Sequence, residues 1–119
     1  MDIEFFNPGQ VPQPKHKIRV VGIQAIPYPD RRRVWVEVKV TPFQERPNLL
    51  LITRNSEGFI VSELTVLATM HANMEFTIHI RIPNDPAGEY TFTAELFYET
   101  RNPIQDSQTI TFVIPQEGD

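Results

Sequence analysis

Strict alternation of apolar and polar residues marks two segments of the chain, 74–82 and 90–98. A period of two places the apolar side chains on one face of a strand and the polar ones on the other. The segment between them, 83–89, holds two prolines, an asparagine, an aspartate and a glycine, which are typical turn residues. The pattern therefore predicts two half-buried strands around a turn. The residues predicted to face the core are Met74, Phe76, Ile78, Ile80, Ile82, Tyr90, Phe92, Ala94 and Leu96.

Further strands are predicted by the same criteria over 18–24, 33–41, 48–54 and 106–114. Gly22 lies inside the first of these and indicates a bulge. In 33–41 four valines alternate with charged or polar residues, and Trp35 falls on the charged face. The segment 48–54 is apolar on both faces, which is typical of a central strand. Asn55–Gly58 has the composition of a hairpin turn that closes on glycine.

Residues 59–68 fit two interpretations. Thr65 and Val66 are β-branched and favour a strand. A short helix from Ser62 onward would instead place Leu64, Leu67 and Ala68 on one face.

The eleven prolines all fall between the predicted strands or at their ends, where a missing N–H disturbs no ladder. Six or seven strands in 119 residues predict one all-β domain, either a sandwich or a barrel. We expect an extended Pro-rich leader over 1–17, the folded domain over 18–115 and a short tail over 116–119.

The stretch from Pro86 to Tyr90, read Pro-Ala-Gly-Glu-Tyr, resembles the tyrosine corner of immunoglobulin-like sandwiches. Together with the hairpin at Asn55–Gly58, the Phe-x-Ile-x-Ile of 76–80 and the closing Thr-x-Thr-Phe-x-Ile of 109–114, it resembles bacterial immunoglobulin-like modules of the macroglobulin and adhesion types. The resemblance implies an immunoglobulin-like antiparallel β-sandwich of about seven strands. It also implies that Gly88 and Tyr90 form a structural corner in which the Tyr90 hydroxyl bonds backbone near Asp85 or Pro86. Such modules serve as spacers, adhesins, inhibitors or subunits, so the resemblance implies no particular activity.

Composition narrows the classes of function. The net charge of −4 argues against binding to phosphate backbones, so no nucleic-acid partner is expected. No apolar run approaches the roughly 18 residues that a membrane span needs. The chain has no cysteine and begins with an acidic segment, and we expect a cytoplasmic location.

No motif for catalysis or for a cofactor stands out. The three histidines have no ligand spacing, and no serine lies in a nucleophile elbow. Asp30, Asp85 and Asp106 fall in predicted loops and are an alternative calcium site, although ordinary turn chemistry accounts for them. We therefore expect no enzyme activity, no cofactor and no metal.

A candidate interaction surface follows from the predicted faces of three strands. With Leu49, Leu51, Phe92, Leu96 and Phe112 directed inward, the outward-facing apolar residues are Leu50, Ile52, Phe97 and Val113. Immunoglobulin-like topology would place these strands side by side, so the four are expected to form one apolar patch. Either a protein partner or second copy covers such a patch, or the leader folds over it with Phe5 and Phe6.

Trp35, Tyr28 and Phe43 form an alternative candidate site, a platform of rings that binds carbohydrate. Such a platform requires the rings to be coplanar on one surface, whereas packing against the leader or a loop would occupy them internally. The functional expectation is therefore a non-catalytic protein-interaction or structural module, with carbohydrate binding as the alternative.

Overall fold

The computed structural model describes residues 11–118 of the chain. Over this range the chain forms seven strands and one short 3-10 turn, Lys15–Lys17, but no α-helix. The strands are β1 (Val20–Pro27), β2 (Arg33–Val40), β3 (Asn48–Asn55), β4 (Ile60–Val66), β5 (Asn73–His79), β6 (Gly88–Phe97) and β7 (Asp106–Ile114). The all-β prediction is confirmed, and the segment that allowed a helix is the strand β4.

The strands form two antiparallel sheets with the orders β1-β2-β5 and β4-β3-β6-β7. The turn between β5 and β6 therefore crosses from one sheet to the other. β3, β6 and β7 are neighbours, as the resemblance implied. The register of β1 shifts between Val20 and Gly22, which is the bulge that Gly22 indicated. Gly58 closes the β3–β4 hairpin with a φ of 89°, in the left-handed region that favours glycine.

The inner faces of the two sheets pack against each other and form the core. Alternation along each strand supplies these faces, because every second side chain points between the sheets. Burying an aliphatic or aromatic side chain of this kind contributes about 1.5–3 kcal/mol relative to leaving it exposed. The completely buried apolar residues are Ile18, Val34, Val36, Val38, Leu49, Phe92, Ala94 and Leu96.

The two long sides of the sandwich differ. On one side, the closed side, β1 lies beside β7. There the Val20 amide donates to Asp106 Oδ2 at 2.8 Å, and Gln105 Nε2 donates to the Ile18 carbonyl at 2.8 Å. Since one sheet has three strands and the other four, β4 is left on the other side with no strand from residues 11–118 opposite it. Burial agrees, because β3 has five buried residues whereas β4 has none.

Tyr90 ties the start of β6 to the preceding loop. Its hydroxyl donates to the Pro86 carbonyl at 2.6 Å, which is the bond expected of the corner. Its ring stacks on Phe112 with the centroids 5.4 Å apart. Asp85 Oδ1 accepts the Ala87 amide at 3.0 Å, and Gly88 has a φ of 140° that other residues rarely adopt. Burial raises the pKa of Tyr90.

Tyr90→Phe is expected to lower the free energy of unfolding by about 1 kcal/mol, because the buried Pro86 carbonyl loses its donor. Tyr90→Ala should cost about 3–5 kcal/mol, since it also leaves a cavity. The measurement is urea unfolding, with Tyr98→Phe as the control. Tyr98 donates to the Glu45 carbonyl at 2.9 Å at a solvent-accessible site, so its loss should cost less. Equal midpoints for Tyr90→Phe and the wild type would contradict the structural role of the corner.

Three consecutive arginines join the loops at the end of the sandwich where β2 begins. Arg31 has a φ of 64°; its Nε donates to the Pro115 carbonyl at 2.8 Å and its guanidinium pairs with Asp85. Asp30 accepts the backbone amides of Arg32 and Arg33 at 2.9 and 3.0 Å, and the Arg33 Nε at 2.6 Å. The Arg32 amide, followed by the Arg33 side chain, lowers the pKa of Asp30 from 3.8 to about 2.

Asp30→Asn tests the effect of this carboxylate on acid stability. Because the pKa of Asp30 is lower in the folded chain, its charge stabilises the fold at pH values above about 4, and this contribution is lost as the pH falls towards 2. We expect the variant to melt below the wild type at pH 7, and the two melting temperatures to converge as the pH falls from 4 to 2. Thermal melts at constant ionic strength measure this, and a pH-independent difference would refute it.

Candidate functional site

The predicted outer patch is only partly assembled by the fold. Leu50 lies opposite Thr65 and Glu95, and Ile52 opposite Glu63 and Thr93, so both point to the outer face of the four-stranded sheet as expected. Yet Leu50 is only 4% exposed and Ile52 only 1% exposed. Both side chains therefore point outward as predicted but are covered, so they offer little exposed surface to a partner.

The charged neighbour of Leu50 is itself shielded. Glu95 is 15% exposed, and its carboxylate accepts from Arg101 Nε at 2.8 Å. The loop between β6 and β7, which carries Arg101, is thereby joined to the outer face. Next to this pair, the hydroxyls of Thr93 and Thr109 lie 2.8 Å apart across β6 and β7.

Phe97 and Val113 lie at opposite ends of the same face. Phe97 is half-buried opposite Asn48, whereas Val113 is 61% exposed opposite Glu89. The single contiguous patch of Leu50, Ile52, Phe97 and Val113 is therefore not formed. The alternative cover by Phe5 and Phe6 lies outside the described residues.

The three rings of the carbohydrate hypothesis do not share one surface. Trp35 is half-buried, and its indole N–H donates to Glu75 Oε1 at 2.7 Å across β2 and β5. The Tyr28 ring lies 4.7 Å from the Arg33 guanidinium, at the start of β2. Phe43 follows the other end of β2, roughly 23 Å away along the strand, and packs against the core.

Titration with soluble polysaccharides should therefore leave the fluorescence of the only tryptophan, Trp35, unchanged. Its N–H is already bonded to Glu75, and Phe43 lies at the far end of β2, so the three-ring platform is not formed. Saturable quenching that disappears in Tyr28→Ala would contradict this prediction and restore the carbohydrate hypothesis.

The open side between β4 and β5 is a surface that sequence reasoning did not single out. A groove of about 430 Å³ runs between residues 60–64 of β4 and residues 77–79 of β5, with Arg81 at one end. Leu64 and Val66, on the inner face of β4, are only half-buried. Ile60 is 49% exposed and the preceding Phe59 is 65% exposed. In the sequence, the apolar run Phe59-Ile60-Val61 directly after the hairpin glycine was the one signal that could have pointed to this groove.

The main chain of β5 has unpaired polar groups along this groove. Ile80 N donates to the Arg32 carbonyl and Val40 N to the Ala72 carbonyl, so even-numbered residues of this segment bond to β2. Because bonding alternates along an antiparallel pair, the N–H and C=O groups of Glu75, Thr77 and His79 point away from β2. Within 11–118 they make no hydrogen bond.

Positive charge lies at the C-terminal end of β5. Arg81 is exposed and takes part in no hydrogen bond or ion pair between described residues. Arg32, whose carbonyl bonds Ile80, donates through Nη1 to the Ile82 carbonyl at 2.8 Å and not to a carboxylate. Arg81, at this end of the groove, thus has no acidic partner in the described part of the chain, whereas Arg32 lies close enough to Asp85 to help lower the pKa of that carboxyl.

The candidate calcium ligands are separated. Asp30 and Asp85 are engaged by arginines at one end of the sandwich, whereas Asp106 accepts the Val20 amide at the other end. Among residues 11–118, no group of three or more His, Asp or Glu side chains is placed to hold a metal ion. The described chain also contains no helix long and apolar enough to cross a membrane.

No family model and no curated protein matches this chain. Solved structures do share its fold. A β-glucuronidase from Bifidobacterium dentium, complexed with coumarin-3-O-glucuronide, is 20% identical with a TM-score of 0.58; the match covers 82% of this chain and 18% of that one. A putative β-galactosidase from Bacteroides fragilis is 13% identical, with a TM-score of 0.60 and coverage of 82% and 17%. A glycosyl hydrolase family 2 member from Bacteroides cellulosilyticus is 11% identical, with a TM-score of 0.57 and coverage of 82% and 15%.

At these identities the likeness shows a common β-sandwich fold. This chain spans less than a fifth of the length of each of those proteins.

Proposed function

We propose that the chain is a non-catalytic β-sandwich module that acts by contact between its open side and another protein surface. The observation that carries the proposal is the groove between β4 and β5, where apolar side chains lie exposed beside two strand edges. Exposed apolar surface next to an unpaired edge is a typical site of protein association.

The edges on the two sides of the sandwich support this assignment. Proteins usually blunt a free edge with proline, lysine, a bulge or a covering element. β1 has a bulge at Gly22, ends at Pro27 and lies beside β7. β5 contains neither proline nor lysine and pairs with β2 without a register shift, although β4 has a register shift at Val61. The edge of β5 is therefore accessible, whereas the closed side is protected.

The similar structures support an accessory role. The chain corresponds in size to a small part of glycosyl hydrolase family 2 chains, as expected of a supporting module within or beside a larger assembly. The net charge of −4 favours a protein partner over a nucleic acid. Carbohydrate binding through Trp35, Tyr28 and Phe43 is not favoured, because the fold separates Phe43 from the other two rings.

Site-specific photo-crosslinking in the source cells tests the proposal. A photoreactive phenylalanine analogue placed at Ile60, on the open side, should form a discrete adduct with another polypeptide or with a second copy. The same analogue at Val21 is the matched control, because Val21 is an exposed apolar residue on the edge strand of the closed side. Mass spectrometry identifies the adducts. Equal, diffuse labelling at both positions would overturn the proposal.

A further inference from the structure

We propose that the free edge of β5 accepts an extended strand from another polypeptide, which would become the fourth strand of the three-stranded sheet. The inference rests on the proposed function, since it specifies how a protein partner occupies the open side. The strand that binds this edge is a peptide segment with apolar residues at alternate positions and acidic residues at the N-terminal end of the segment.

The backbone of β5 presents the required hydrogen-bonding groups. The N–H and C=O groups of Glu75, Thr77 and His79 face the groove and are unpaired within the described chain. Their spacing is that of an antiparallel ladder, and all other neighbouring strands of both sheets pair antiparallel. An added strand would satisfy these groups in the way peptide-binding domains do by strand addition.

The apolar surface of the groove indicates where the side chains of the added strand would lie. Within the described part of the chain β4 has no strand opposite it, and the inner-face residues Leu64 and Val66 are only half-buried. A strand on the edge of β5 would lie opposite β4, and its inward side chains would cover this surface. Each sheet would then have four strands, and the difference in strand number that leaves the side between β4 and β5 open would be removed. Removal of apolar surface from water would then add to the ladder bonds.

Charge sets the direction and composition of the occupant. Arg81 lies at the C-terminal end of β5 without an ion-pair partner among residues 11–118. An antiparallel strand has its N-terminal end there. Acidic residues in the first positions of that strand would meet this guanidinium group, and such complementarity favours the correct partner and register.

The probe is a capped eight-residue peptide, Asp-Val-Glu-Val-Thr-Val-Thr-Val, carrying a fluorophore. Fluorescence anisotropy measures its binding, with a scrambled peptide of the same composition as the control. NMR hydrogen exchange on the full chain should show that the amides of Glu75, Thr77 and His79 exchange rapidly without peptide and gain protection with it. The amides of Phe76 and Ile78, which bond β2, should be protected throughout.

Methylation of single peptide nitrogens tests strand pairing without altering the protein. In the antiparallel register, the fifth residue of the peptide lies opposite Thr77, and the fourth lies opposite Ile78. N-methylation at the fifth residue removes a ladder N–H and should weaken binding at least about tenfold. N-methylation at the fourth residue, whose N–H points away from β5, should change the affinity little. Shifts of register by two residues preserve this contrast.

Two protein variants provide an independent check. Thr77→Pro removes an N–H that faces the groove, whereas Thr77→Val keeps it; only the first should abolish binding, with circular dichroism confirming the fold of both. Arg81→Glu should weaken the acidic peptide several-fold and should favour a peptide in which the first and third residues are lysine.

The outcomes are decisive in both directions. No binding up to about 1 mM peptide, or binding indifferent to the methylated position, overturns strand addition. Protection of the Glu75, Thr77 and His79 amides from exchange without peptide also overturns it. If dilution removes this protection, a second copy of the chain occupies the edge. If dilution does not remove it, another segment of the same chain does. A specific crosslink at Ile60 together with any of these results leaves the proposed function standing and rejects only the strand.

Discussion

The packing of a three-stranded sheet on a four-stranded sheet is the constraint on which the rest of this structure depends. The apolar inner faces must cover each other, but three strands cannot cover four. Placing β1 beside β7 closes one side and, among the seven strands of residues 11–118, leaves β4 without an opposing strand on the other. The same hydrophobic packing that stabilises the core therefore also creates the groove where half-buried side chains remain accessible. The packing of the two unequal sheets is thus the origin of both the stability of the fold and the candidate site.

Polar contacts hold the ends and the closed side. Tyr90 bonds Pro86, and Arg31 joins the β1–β2 turn to Asp85 and to the Pro115 carbonyl. Asp106 accepts the Val20 amide across the closed side. The polar groups in these contacts are already paired with neighbouring loops, so few of them remain to bind a ligand. The unpaired backbone groups of β5 and the guanidinium of Arg81 are different, because the described chain gives them no partner. These unpaired polar groups beside apolar surface are the observation behind the proposed contact with another chain.

The likeness to parts of glycosyl hydrolase family 2 chains is a likeness of fold, and a β-sandwich carries many functions. What distinguishes this sandwich is therefore its surface. The outer face of the four-stranded sheet is closed over Leu50 and Ile52, and the outer face of the other sheet ties Trp35 to Glu75. Among residues 11–118 the edge between β4 and β5 stays open. The proposed contact is therefore located at an edge rather than on either sheet face.

The sequence by itself determined the strands and the direction of their side chains. Alternation is a local property of the backbone, so Val34, Val36, Phe92 and Leu96 were correctly placed inward, and the turn at Asn55–Gly58 could be predicted from its own residues. The resemblance of Pro86–Tyr90 to a tyrosine corner predicted the hydrogen bond from Tyr90 to backbone near Asp85 or Pro86. Tertiary structure alone decided exposure. Leu50 and Ile52 point outward as predicted but are buried, Val113 is far from Phe97, and Phe43 is separated from Trp35 by the length of β2. Nor does alternation show which strand lacks a neighbour opposite it. Burial depends on strands distant in sequence, and a periodic pattern contains no information about which of them will stand beside or across from a given residue.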